Sequence, residues 1–304
     1  YFISRDGVIE PGHQAAYVRA LAFDLVSREK RPAVVRQLIL EIERNDYCLN
    51  TGFLSTPFLL PVLVEEGYAD LAYRILEQRK SPSWLHAVEL GATTILESWD
   101  GMDAHRASFN HYSFGAVCDF LFSYTAGIRA EADHPGYRKF TLCPVIGGTL
   151  TGASAFYESP CGTIRSEWKL DTERGVWEYD CTVPVNTTAD VILPDQRRQT
   201  VGSGTWHFTG EAPVAGTTEG RVRGCKRGGK SVFRGIPYGD RCDGEFRFLE
   251  PRPAEKREGI LDCTGPAPVA MQTQLRLEDI PESFRPMIKE SMDIFTGGMD
   301  CTGA

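Results

Sequence analysis

The chain has no run of 18 apolar residues, which leaves no segment able to cross a bilayer as a helix and argues against a membrane partner. It has no pair of cysteines at Cys-x-x-Cys spacing, so its nine cysteines do not announce a zinc site and no metal is expected. Basic residues are in deficit: 33 Lys and Arg stand against 41 Asp and Glu, a net charge of −8. A protein built to grip a phosphate backbone concentrates positive charge, so nucleic acid is excluded as an expected partner. No internal repeat of 20–50 residues is present. The chain opens Tyr1-Phe2-Ile3-Ser4 without Met or a signal-peptide pattern and closes Cys301-Thr302-Gly303-Ala304, and the expectation is a piece of a longer protein.

What is present divides into segments of different period. With 304 residues there is room for about two cores, and 42% apolar against 24% charged residues is ordinary for a globular chain. Val18, Leu21, Ala22, Leu25 and Val26 recur at helical spacing, as do Val35, Leu38, Ile39 and Ile42 behind Pro32. Leu71, Ile75 and Leu76, set off by Gly67, predict a third helix. Phe114, Val117, Cys118, Leu121 and Phe122 predict a fourth, ending near Gly127. Two stretches between helices, Leu49 to Pro57 and Ser81 to His111, are long and rich in Gly, Thr and Trp; ordered loops of that kind on a helical scaffold are where function concentrates.

Beyond about residue 135 the period falls to two. Ile164, Ser166, Trp168 and Leu170 alternate with charged neighbours, as do Trp177, Tyr179, Cys181 and Val183, and the polar turn 171–175 makes the two runs an antiparallel hairpin. Residues 197–219, turning to Gly, Thr and Ser, read as a linker, and 220–304 as a Gly- and Pro-rich tail with no core of its own. Cys118 on an apolar helical face and Cys181 in a strand suit buried, reduced thiols, which favours a reducing, cytoplasmic compartment.

Candidate chemistry gathers in the second loop. Glu97 lies between Trp84 and Trp99, and a carboxylate can take a proton from water where indole faces pack on the C–H faces of a sugar. Asn110 and His111 follow in Ser108-Phe109-Asn110-His111-Tyr112; Asn110 either caps the next helix or contacts ligand, and His111 can grip hydroxyls. Each Trp reads equally as pocket wall or as core.

Four stretches in order resemble the α-L-rhamnosidases of glycoside hydrolase family 78: Leu49-Asn50-Thr51-Gly52-Phe53 with Pro57-Phe58-Leu59-Leu60, then Pro82-Ser83-Trp84, then Gly91-Ala92-Thr93-Thr94-Ile95 with Glu97 and Trp99-Asp100, then residues 108–112. Ser159-Pro160-Cys161-Gly162 with Trp168, and Val183 through Ala189, resemble that family's C-terminal β domain. The resemblance covers about residues 1–195. It implies a multidomain α+β chain: an incomplete (α/α)6 barrel over 1–133, then an antiparallel β-sandwich over 134–196. It implies a substrate with terminal L-rhamnose, no cofactor, and hydrolysis with inversion, in which Glu97 is the general base and His111 contacts the sugar. The family's usual Trp-Glu-Arg-Trp is here Leu96-Glu97-Ser98-Trp99, and the family's general acid belongs to a stretch upstream of the matched region. Asp100 and Asp103 match no acid position.

The tail resembles something else. Val222-Arg223-Gly224, Phe233 through Tyr238, Gly244 through Phe248 and Pro251-Arg252-Pro253, continued by Gly265-Pro266 and Gln272, resemble the start of type B carboxylesterases, which implies an incomplete α/β-hydrolase segment over 220–304. The Gly-x-Ser-x-Gly elbow that would carry its nucleophile is absent from these 304 residues. Besides a rhamnosidase portion, the readings in play are a carbohydrate-binding remnant without catalysis, a rhamnosidase–esterase fusion, and two genes joined in error near residue 219.

Overall fold

The computed structural model describes residues 3–4, 6–99, 107–212, 214–227, 230–236, 239, 250, 252–254, 256 and 260–263. Asp100, Asp103 and the esterase-like stretches around 241–249 and beyond 263 lie outside the described residues.

The amino-terminal part is an array of short helices: α1 (Gln14–Ala22), α2 (Arg31–Arg44), α3 (Thr56–Glu65), α4 (Ala69–Leu76), α5 (Trp84–Glu89), α6 (Tyr112–Gly115) and α7 (Val117–Phe120), closed by a π-helical turn over Leu121–Thr125. The α2 helix is the clearest product of its pattern, with Pro32 in its first turn and Val34, Val35, Leu38 and Ile42 buried. The α1 helix is shorter than its apolar spacing predicts, because Asp24 takes a left-handed φ of 52° just past its end; Val26 is still buried, while Leu25 is not. The predicted fourth helix is broken. Its span is divided among α6, α7 and the π turn, and the added rotation brings Cys118, Leu121 and Phe122 out of the core, so Cys118 is exposed rather than buried. The α3 helix had no periodic signal, since it is apolar on most faces, yet it buries Leu59, Leu60, Val62 and Leu63 against α1 and α4 at the centre of the helical core.

Two four-stranded sheets follow. One has the order β1 (Ile128–Ala130), β2 (Lys139–Leu142), β6 (Thr188–Ile192), β7 (Arg198–Val201); the other has β3 (Gly152–Ser159), β4 (Gly162–Asp171), β5 (Val176–Val183), β8 (Gly204–Glu211). Their inner faces share one core, with Phe140, Leu142 and Val191 from the first sheet and Ile164, Trp168, Trp177 and Tyr179 from the second. The expected hairpin is β4–β5, in the register Trp168 with Tyr179 and Leu170 with Trp177. Its turn is held by Asp171 Oδ1, which accepts from the backbone N–H groups of Glu173 (3.0 Å) and Arg174 (2.9 Å).

Three expectations need correction. The sandwich is not wholly antiparallel: β2 and β6 pair in parallel, because the whole hairpin region of the second sheet crosses over between them. The barrel–sandwich boundary at 133 comes too late, since β1 already belongs to the sandwich. The stretch 197–219 is not a linker. It contains β7, β8 and β9 (Val214–Thr217), and the Thr and aromatic residues of β8 suit a pleated surface despite the flanking glycines. Past it, β10 (Gly220–Arg223) pairs antiparallel with β9 and parallel with β13 (Ile260–Asp262), while β11 (Cys225–Arg227) and β12 (Lys230–Val232) form a separate hairpin. Val222 and Cys263 are fully buried there, so the described part of the tail does contribute apolar packing.

Helices and sandwich meet at one seam. Tyr73 of α4 is wholly buried; its hydroxyl donates to Val145 O (2.6 Å) and contacts Thr125 Oγ1 (3.1 Å). Burial pushes its phenol up to about 12, so it stays a neutral donor. Trp168 Nε1 donates to Thr125 O (2.8 Å) and Ser166 Oγ to Ala126 O (2.5 Å). Gly127, at φ 80°, brings the backbone so close that a Cβ would lie 2.2 Å from Pro144 N. Tyr73→Phe, which removes the donor to the part-buried Val145 carbonyl, is expected to lower the unfolding free energy by about 0.5–1.5 kcal/mol. Calorimetry of the 304-residue chain checks it, and an unchanged melting temperature would show that the seam is not held by this hydroxyl.

Candidate functional site

The loop that carries Glu97 is a tight β-like tongue. Glu97 N donates to Ser108 O (2.9 Å), His111 N donates to Ile95 O (2.8 Å), and Thr94 Oγ1 is hydrogen-bonded to Phe109 O. Segments 94–97 and 108–111 therefore run side by side, which brings the third and fourth resembling stretches together. On this tongue Leu96 turns into the core at 3% exposure and Glu97 turns away, half-buried. The Glu97 carboxylate is oriented: Oε2 accepts the backbone N–H of Ser108 at 2.6 Å. That leaves Oε1 and the second lone pair of Oε2 to face other groups. The replacement of the family's Trp by Leu96 is thus a change inside the core, on the far side of the backbone from the carboxylate.

His111 is the cap of α6. Its Nδ1 accepts the N–H of Ser113 (3.3 Å), so Asn110, for which capping was one of two readings, does not cap the helix. Asn110 is exposed, and its backbone N–H is taken by Ser108 Oγ (3.2 Å). With Nδ1 accepting the Ser113 N–H, Nε2 is the ring nitrogen left to carry a proton and donate. The ring is also fixed by stacking, on Phe53 (4.9 Å between centroids, 22°) and on Tyr112 (5.0 Å, 20°).

The two tryptophans lie on the same line of rings. Trp84, at 5% exposure, meets Trp99 edge-on (6.1 Å, 84°) and donates Nε1–H to Phe114 O (3.0 Å). Trp99 stacks on Phe114 (4.1 Å, 29°), which meets Phe53 edge-on (4.9 Å, 66°). Of the two readings left open, core packing describes Trp84; Trp99 is half-buried between core and loop. A continuous file of rings thus runs from the helical core through Trp84, Trp99, Phe114, Phe53 and His111 to Tyr112, which is 85% exposed. Ser83 starts α5 by accepting the N–H of His86 (3.2 Å), which sets Trp84 in the first turn.

Sequence reasoning did not single out Phe53, Ser108 or Phe114 for these roles. Phe53 is delivered by the loop 49–56, which Leu49 N ties to Pro82 O (3.0 Å) and Thr56 Oγ1 ties to Gly52 O (2.7 Å), with Gly52 at φ 63°. The available signal was the Gly52-Phe53 pair inside a segment whose Thr51, Ser55 and Thr56 are all buried and hydrogen-bonded. Among the described residues no group of His, Cys, Asp and Glu could hold a metal ion, and no helix is long and apolar enough to cross a membrane. Cys48, Cys118, Cys143, Cys161 and Cys181 are free thiols.

Comparison with known proteins matches these parts in order. Residues 1–125 fit the model of the bacterial α-L-rhamnosidase six-hairpin glycosidase domain, and residues 127–207 that of the bacterial α-L-rhamnosidase C-terminal domain. Residues 1–207 are thus similar to two successive domains of the bacterial α-L-rhamnosidases. An α-L-rhamnosidase of Streptomyces avermitilis is 38% identical over 200 residues, which are 64% of this chain and 19% of that one. The crystal structure of the Streptomyces avermitilis α-L-rhamnosidase complexed with L-rhamnose superposes with a TM-score of 0.65 at 35% identity, over 69% of this chain and 22% of that one. The chain therefore spans about a fifth of the length of the rhamnosidases it matches. Residues 211–296 fit the carboxylesterase family model, and a 60-residue stretch is 38% identical to the phenmedipham hydrolase of Pseudarthrobacter oxydans, covering 20% of this chain and 12% of that one.

Replacing the α6 cap gives a local test. His111→Ala is expected to speed hydrogen exchange of the Ser113 amide by about 5–30-fold, the equivalent of the 1–2 kcal/mol that a cap contributes. His111→Asn, which restores a capping oxygen, should recover most of the protection, and Asn110→Ala should leave it alone. Equal exchange in all four proteins would mean that His111 holds nothing.

Proposed function

We propose that residues 1–207 are part of an inverting α-L-rhamnosidase, supplying the general base and part of the sugar pocket. The observation that carries this reading is the Glu97 carboxylate, held by the Ser108 N–H at 2.6 Å on a loop shared with the half-buried His111. In an inverting hydrolysis a carboxylate takes a proton from water as that water attacks the anomeric carbon, while a second carboxyl group, about 6.5–9.5 Å away, protonates the departing oxygen. Glu97 is the first of these. Among the described residues one backbone N–H bond orients the carboxylate without occupying it, which a base needs. His111 Nε2–H donates to a sugar hydroxyl, Trp99 and the ring file behind it brace the pocket, and Trp84 supports them from the core. Asn110 is exposed beside them and offers a further amide contact. The acid comes from outside the matched residues, in keeping with the share of the relatives' length that this chain covers.

Residues 211–296 favour a second reading alongside the first, a protein that joins a rhamnosidase to a carboxylesterase-like domain. A carbohydrate-binding remnant without catalysis is the alternative to both.

In the complete parent protein, Glu97→Gln is expected to reduce turnover of an aryl α-L-rhamnoside by about 10²-fold or more, the usual scale for a lost general base, with little change in KM. Proton NMR of the first-formed sugar should show the β-anomer. A variant as fast as the parent would remove Glu97 from this role, and retention of the α-anomer would remove inversion. The 304 residues by themselves are expected to give no turnover of the same substrate; robust hydrolysis by them would mean that the acid lies within this chain.

A further inference from the structure

The two arms of the Glu97 loop are out of step by one residue. In a regular antiparallel ladder, once His111 N bonds Ile95 O (2.8 Å), the next bond in that direction joins Glu97 N to Phe109 O. Here Glu97 N takes Ser108 O instead (2.9 Å). The arm 108–111 therefore carries one residue more than the arm 95–97 between the same two bonds. An extra residue of this kind is a bulge, and bulges re-aim the groups beside them.

The slip leaves three polar backbone groups of the longer arm outside the ladder, and hydroxyls of the loop take each of them. The carbonyl of Phe109, displaced from Glu97 N, accepts from Thr94 Oγ1. The N–H of Asn110 donates to Ser108 Oγ (3.2 Å), and the same hydroxyl donates to Asn110 O (3.1 Å). Thr and Ser side chains that bond nearby backbone in this way offer the chain an alternative to a regular ladder. The consequence reaches the carboxylate. With Ser108 O turned to Glu97 N, the N–H of Ser108 meets the Glu97 side chain and donates to Oε2 at 2.6 Å. Ser108 thus grips Glu97 at both ends, backbone and carboxylate. Thr94, Ser108, Phe109 and Asn110 are all exposed, so water competes for these bonds and burial does not fix the register.

We propose that Thr94 and Ser108 are positioning residues for the Glu97 carboxylate, their hydroxyls locking the bulge that aims the Ser108 N–H at it. The inference rests on Glu97 acting as general base. Neither hydroxyl is given a contact with substrate; both act through Glu97.

Kinetics of the complete parent protein test it. Thr94→Val, close in shape but without the hydroxyl, should lower kcat for an aryl α-L-rhamnoside by about tenfold and leave KM within about twofold, because the base works in the chemical step rather than in holding the sugar. Ser108→Ala should do the same. Thr94→Ser and Ser108→Thr, which restore the hydroxyls, should return kcat to near that of the parent. Placed on Glu97→Gln, Thr94→Val should cost nothing further, since its effect passes through that carboxylate. In the 304-residue chain the Ser108 amide should exchange about fivefold faster in Thr94→Val than in Thr94→Ser, with an unchanged circular dichroism. A slow Glu97→Gln beside a Thr94→Val as fast as the parent would overturn this inference and leave the base in place. So would a further loss on Glu97→Gln, a loss confined to KM, or exchange of the Ser108 amide that Thr94→Val leaves unchanged. A Glu97→Gln variant as fast as the parent would remove the base, and this inference with it.

Discussion

The backbone carbonyls of Thr125 and Ala126, at the end of the last helical turn, are the point through which the two halves are joined. Both are buried, and a buried carbonyl without a donor costs a substantial part of a domain's net stability. The sandwich provides the donors, Trp168 Nε1 and Ser166 Oγ, and it does so from the inner face of β4. The helices respond in kind through Tyr73, whose hydroxyl reaches Val145 O at the edge of the sandwich. Gly127 is obligatory at that point, since any side chain would collide with Cys143 and Pro144. Cutting the chain near residue 126 would therefore strand polar groups on both sides, which makes the boundary in sequence a poor boundary in energy.

The same economy of fixed groups extends to the loop with Glu97. The described arms of that loop, 94–99 and 107–111, are held in place because exposed side chains on them are backed by buried ones. Leu96 is in the core where Glu97 is not, and Trp84 is in the core where Trp99 is half out. The file of rings transmits rigidity outward from α5 to Tyr112, because stacked and edge-on pairs resist rotation about either ring axis. His111 is restrained three times over, by two stacked neighbours and by the N–H of Ser113, and a side chain restrained in this way has little entropy left to lose on meeting a ligand.

How far the sequence could be read followed the physics of each element. The α2 helix and the β4–β5 hairpin were legible because one face of each is wet, so burial leaves a period in the residues. The α3 helix was illegible for the opposite reason: a segment apolar on most faces, with Pro57 and Pro61, has no period to read. The π turn at 121–125 was illegible because a change of helical pitch is a tertiary choice, and it moved Cys118 and Leu121 to the surface. Strand β8 was hidden by its Gly and Thr content, since its partners on β5 lie nearly 30 residues upstream. At the site, the resemblance pointed to Glu97, His111 and the two tryptophans as candidates, but not to His111 rather than Asn110 as the cap of α6. That outcome depends on the ring being held by Phe53, nearly 60 residues earlier, which no local rule contains.

Strand β8 also bears on how the two resemblances meet. The match to the rhamnosidase C-terminal domain ends at residue 207 and the match to the carboxylesterase family begins at 211, and both positions fall inside Gly204–Glu211. That strand is paired with β5 along its whole length, from Gly204 opposite Val183 to Glu211 opposite Val176. The next residue, Ala212, donates its N–H to Gly175 O at 2.7 Å, and Arg221 and Arg223 then bond back to carbonyls of the sandwich and its approach loop. Two sequences placed end to end without shared history have no reason to continue one sheet, satisfy each other's backbone groups and bury an arginine at 5% exposure between them. The hydrogen bonding across 204–223 therefore favours a junction that has been folded as a unit over an accidental join near residue 219.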